Sequence, residues 1–120
     1  MYVDGFVLAV PTDRKEDFIK HASLANSVFM ERGATRVLEC WGDDVPDGEQ
    51  NDFRRAVQAK PDETVVFSWI EWPDKPTRDA ALKHIMDPEH LDDRMNPETN
   101  PMPLDAKRII FGGFEPVVSL

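Results

Sequence analysis

Apolar residues recur along this chain with two periods. From Tyr2 to Val10 the side chains Tyr2, Asp4, Phe6 and Leu8 alternate with Val3, Gly5, Val7 and Ala9, the period-two pattern of a strand. Pro11 ends it. The period then lengthens to that of a helix. Phe18, Ala22, Ala25 and Phe29 fall on one stripe, Asp13 and Glu16 have capping-box spacing, and Gly33 is placed as a left-handed cap. A second strand, Thr35 to about Asp43, sets Thr35, Val37, Glu39 and Trp41 against Arg36, Leu38 and Cys40. The stretch from Asp43 to Lys60 is polar, with a short helical turn expected at Phe53 to Val57. Thr64 to Trp72 is β-branched and aromatic on both faces except at Ser68 and Glu71, so it reads as a central strand. A second helix follows Asp74, which is suited to cap it, accepts Pro76 in its first turn, and is ended or kinked by Pro88. Its inward residues are Ala80, Ala81, Leu82, Ile85 and Met86.

Between Asp87 and Ala106 lie Pro88, Pro97, Pro101 and Pro103. A short helix near Glu89 to Met95, followed by an ordered, extended, lid-like stretch, fits a compact domain better than twenty or so structureless residues. The last strand is expected over Lys107 to Val118, with Gly112-Gly113 marking a bulge or a close backbone approach. The order is therefore β-α-β-β-α-β within one domain, residues 1-120. This is the ferredoxin-like α+β order, a four-stranded antiparallel sheet with both helices on one face. One parity of the strands offers Phe6, Leu8, Val37, Trp41, Phe67, Trp69, Ile109 and Phe111. Assigned to the face away from the helices, so large an apolar surface calls for a partner, most simply a second copy in a twofold homodimer.

Composition narrows the functional classes. The 120 residues suffice for one core, and 41% hydrophobic with 31% charged residues is the balance of a soluble globular chain. No apolar run reaches the roughly 20 residues of a membrane span, so no membrane partner is expected. The first ten residues read as a strand and not as a signal peptide, which makes the cytoplasm the default location. The single cysteine excludes an intramolecular disulfide and paired-thiol motifs. A formal charge of -9 argues against a nucleic-acid partner, because phosphate neutralisation dominates such binding.

Several segments carry a family resemblance. MYVDGFVLAVP, VLECWGDDVPDG, VVFSWIEWPDKPTRDAA, HIMDPE and MPLDAKRIIFGGFEPVV are together similar to the YbaA-like family of uncharacterised proteins, in the dimeric α+β barrel superfamily. The resemblance spans essentially the whole chain, with Leu104 standing where the family usually has phenylalanine. It implies a ferredoxin-like protomer and a homodimer whose sheets face each other around a central cavity, and it implies no established activity. Its superfamily resembles in fold cofactor-independent monooxygenases, lactone isomerases and haem-using dismutases, which is a prior about fold and not about chemistry.

The residues themselves offer one constellation. In this strand order Asp4, Glu39 and Glu71 can share the face away from the helices with Phe6, Trp41 and Trp69. Carboxylates on an aromatic surface are costly unless wet, paired or protonated, and such settings raise their pKa toward values useful for acid-base work. Glu39 or Glu71 would then be a catalytic base, with Asp4, Phe6, Trp41 and Trp69 binding the ligand. The opposing reading places the carboxylates at strand ends, satisfied by Arg36, Arg108 or water. His21 lies at the edge of the first helix's stripe, where packing is a simpler role than catalysis. His84 and His90 flank Asp87 without the H-E-x-x-H spacing, and the acidic loop Asp43 to Asp52 fails the calcium-loop pattern at Val45 and Arg54, so no metal is expected. No cofactor motif is present either; Gly112-Gly113 matches no phosphate loop. Cys40, next to Glu39, reads as inert. Arg78 near a helix start implies an acidic partner, Glu71 or Asp74. Two functions remain open: a homodimer that binds, or binds and transforms, a small, partly apolar molecule between its sheets, and a non-catalytic dimerisation or assembly module whose interface is filled.

Overall fold

The computed structural model describes residues 1–120. Its main elements are β1 (Tyr2–Pro11), α1 (Lys15–Glu31), β2 (Arg36–Trp41), α2 (Phe53–Ala56), β3 (Glu63–Trp72), α3 (Lys75–Ile85) and β4 (Ile110–Phe114). The helix ends follow local chemistry. Asp74 accepts the Thr77 amide at 2.8 Å and so caps α3, whose first turn holds Pro76. Gly33, at φ 111°, closes α1: its own amide donates to the Met30 carbonyl and that of Ala34 to the Phe29 carbonyl at 3.0 Å. The expected capping box does not form. Asp13 falls in a 3-10 turn ahead of α1, and Glu16 and Asp17 instead set negative charge against the positive end of the helix.

Four antiparallel strands make one sheet in the order β2-β3-β1-β4. Phe6 stands opposite both Ser68 and Phe111, and Ser68 stands opposite Glu39. This register sorts every strand residue by face. On the covered face α1 lays Phe18 and Ala22 against Leu8, Val10 and Val66, and α3 lays Ala81 against Ile70 and Trp72. On the other face only one end is covered, where Val57 and Ala59, just after α2, meet Ala9 and Val65. The rest of that face is open.

Two segments differ from the sequence expectation. Residues 87–106 hold no helix at Glu89 to Met95 but two 3-10 turns, Pro88–His90 and Asp93–Met95, started by Asp87 and Asp92 accepting the Glu89 and Arg94 amides. Pro88 and Pro97 leave too few residues between them to repay helix nucleation. The stretch is nonetheless ordered, since Arg94 bonds Glu31 of α1 at 2.6 Å and the Asn100 amide donates to the His21 carbonyl at 3.2 Å. β4 is shorter than Lys107 to Val118, because Lys107 and Arg108 belong to a turn that Asp105 caps. Its pairing with β1 runs without a bulge from Ile110 to Phe114. The glycines serve close approach. The Phe114 ring lies over Gly112, where a β-carbon would come within 3.4 Å of it, and a side chain at Gly113 would collide with the Tyr2 hydroxyl.

Candidate functional site

The six residues singled out from sequence do not share one face. Asp4, Phe6, Glu39 and Trp41 point to the helices, whereas Trp69 and Glu71 lie on the open face. The same correction applies to Leu8, Val37, Ile109 and Phe111, which have the parity of Phe6. Of the eight apolar residues assigned to the open face, Phe67 and Trp69 lie there. The cause is that both parities of these strands carry large apolar side chains, so alternation alone does not say which parity the helices cover.

Asp4 is a buried structural anion. Its carboxylate accepts the Trp72 indole N–H at 2.9 Å and meets the Arg78 guanidinium through both oxygens, at 2.7 Å for the shortest contact. Arg78 thus finds its acidic partner in Asp4, with Asp79 as a second, and not in Glu71 or Asp74. Both of its oxygens are thus engaged within the protomer. Trp41 packs its ring against Phe18 at a centroid distance of 6.3 Å, with the Lys15 ammonium 5.4 Å from it. Phe6 stacks with Phe111. Glu39 accepts the Asn26 side-chain amide at 3.0 Å. Loss of surrounding water raises its carboxyl above the ordinary glutamate range, more than the Asn26 and Ser68 bonds lower it.

The open face holds the other pair. Trp69 donates its indole N–H to Glu71 at 2.9 Å. Glu71 lies opposite Val3 on one side and Arg36 on the other, so one acid is fixed at the end of an apolar field. Gly5 and Gly112 stand side by side in the middle of that field. The Phe114 ring lies over both glycines, and beside it the face dips into a trough of about 700 Å³ walled by Val3, Val7, Phe67, Trp69, Ile110 and Phe114, with Glu71 as its one acid. Phe53 of α2 meets Phe67 edge to face at 5.9 Å. The sequence reading missed Gly5 and Phe114. Their meeting depends on the register between β1 and β4, which no local pattern fixes.

The remaining candidates are engaged elsewhere. His84 and His90 stack at 4.8 Å, His84 Nε2 meets Arg32 at 2.5 Å, and His90 Nδ1 pairs with Asp87 at 3.0 Å. Arg108, assigned as a possible partner of the sheet carboxylates, pairs instead with buried Glu63 through two contacts of 2.7 Å. Cys40 is half-buried on the open face, opposite Phe67. No helix is long and apolar enough to cross a membrane.

Comparison with known proteins adds kinship. The family model described as "Protein of unknown function (DUF1428)" matches residues 1–106. The "Uncharacterized protein YbaA" of Escherichia coli strain K12 is 51% identical over 117 residues, covering 98% of this chain and 97% of that protein, and the Shigella flexneri protein of the same description matches to the same extent. The chain belongs to the YbaA-like family of proteins of unknown function.

Proposed function

We propose that the protomer is ferredoxin-like and works as a homodimer, a dimeric α+β barrel in which two open sheet faces meet and enclose a small, partly apolar molecule. The observation that carries this reading is the apolar trough that Gly5, Gly112 and the Phe114 ring line, with one oriented acid at its end. A second copy suits the face as occupant. Two ten-residue central strands flanked by shorter ones offer a surface of roughly 20 by 30 Å, or about 600 Å². A standard interface takes about 800 Å² per partner. Exposed Met1 and the chain beyond β4, with Val117, Val118 and Leu120 exposed, supply the remainder.

Facing troughs make the seam hollow beside the Phe114 rings that cover the glycines, and tight where Phe67 and Ile110 project. Trp69 serves as the stacking wall. Glu71, held by the Trp69 indole, is the carboxylate placed to bind a polar group or take a proton from a bound molecule. Glu39, on the other side of the sheet, has no part in that step, and Asp4 is structural. The acidic charge, doubled in the dimer, supports a small molecule over a nucleic acid as ligand. Titration with the fluorescent probe anilinonaphthalene sulfonate tests the reading. Saturable binding by the native dimer, weakened about tenfold or more by Trp69→Ala with the dimer mass unchanged, is the expected result. A native dimer that binds no probe has a filled seam, and the chain is then a non-catalytic dimerisation module.

A further inference from the structure

On the helix side of the sheet, α1, the sheet and the segment from Met95 to Ile109 surround a chamber of about 330 Å³. That lies at the small end of the roughly 300–1,000 Å³ typical of ligand pockets, which is room for a single ring and its substituents. The walls are largely apolar and rich in rings, among them Phe6, Phe18, Phe29 and Phe111. One atom is out of keeping with them. His21 Nδ1 is buried without any hydrogen-bond partner, although the backbone of the same residue is tied down by Asn100. A buried nitrogen left unpaired is costly and uncommon in native interiors. In the neutral imidazole with its proton on Nε2, Nδ1 is an acceptor. His21 is itself part of the chamber wall, so a donor bound there can satisfy this nitrogen.

The rest of the wall restricts which donor fits. No lysine or arginine lines the chamber, and Glu39 does, so an anionic ligand would meet a carboxylate with no cation to offset it. We propose that the chamber binds a neutral, single-ring apolar molecule carrying a hydroxyl group, of the phenol class, whose O–H donates to His21 Nδ1 while its ring lies among the phenylalanines. Met95 and Met102 on the same wall are flexible thioethers, suited to opening and reclosing over such a ring. Most of the site lies across the sheet from the seam, with Phe6, Trp69 and Phe111 lining both cavities.

Three probes of one shape test it: p-cresol, toluene and p-toluate, titrated into the full-length protein by calorimetry. Saturable binding of p-cresol, toluene weaker by about tenfold, and no binding of p-toluate are the expected results. His21→Leu lowers p-cresol affinity about tenfold and leaves toluene unchanged. The His21 ring nitrogen signal in the native protein shifts on adding p-cresol, a readout that stands even if the variant fails to fold. Phe67→Asp, which breaks the proposed dimer, retains p-cresol binding, so failure of the seam reading and failure of this one are distinguishable. Equal affinity for p-cresol and toluene, no binding at all, a silent His21 signal, or loss of p-cresol binding in Phe67→Asp would each overturn the proposal.

Discussion

A carboxylate survives in an apolar sheet only where donors and a cation reach it, and Asp4 has both in Trp72 and Arg78. Truncation to Asp4→Ala leaves a largely buried guanidinium without its main partner. The expected cost is about 3 kcal/mol in urea unfolding, with much less for a change at exposed Asp17. The second buried anion, Glu63, is held by Arg108 and by the Lys60 amide, and its pKa falls from 4.5 to about 2, chiefly through the Arg108 hydrogen bonds. Because the folded value lies below the unfolded one, this contribution is complete above about pH 4.5 and is lost as pH falls through about 2. Thermal melts across that window should show a steeper decline for the native chain than for Glu63→Gln. Equal slopes would contradict the assignment. Asp4 illustrates the limit of legibility at this scale. Its type and its strand position were plain, but its partner lies 74 residues away, and nothing local distinguishes a paired carboxylate from a free one. Cys40 carries the residue-scale consequence of the proposed dimer: its thiol, on the open face, should react with a bulky thiol reagent several-fold more slowly in native protein than in Phe67→Asp.

At the scale of elements, the signals that were read correctly are those in which one residue type meets one geometric need. Asp74 caps α3, and Asp74→Ala should cost about 1 kcal/mol. Gly33 is left-handed, and an alanine there would also press on the Thr77 methyl group. Gly33→Ala should therefore destabilise by about 1–2 kcal/mol, seen as a lower urea midpoint with unchanged slope; a neutral result would mean that the α1 end relaxes freely. Strand periods and neighbours were legible for the same reason, because alternation and crossover rules act locally. Face assignment was not. With Phe6 and Leu8 on one parity and Phe67 and Trp69 on the other, the choice is made by α1 and α3 docking together. The end of β4 was illegible too, since Pro116 and the exposed residues after it look apolar enough for a strand but have no partner strand within the protomer.

The whole molecule is flat. It measures 39 × 39 × 20 Å with a radius of gyration of 15.0 Å, against about 13.5 Å for a globular chain of this length. Only 20 of 120 residues are buried, while Phe67, Ile110 and Phe114 stand exposed on one side. A slab with one apolar face leaves that face to be covered, and in the proposed dimer a second copy covers it without any further element. The mass of the native protein by light scattering at micromolar concentration, with Phe67→Asp alongside, tests this most directly. The account expects twice the 13.7 kDa of the protomer for the native chain and a folded 13.7 kDa species for the variant. A native protein that remains at 13.7 kDa across the concentration range would contradict it.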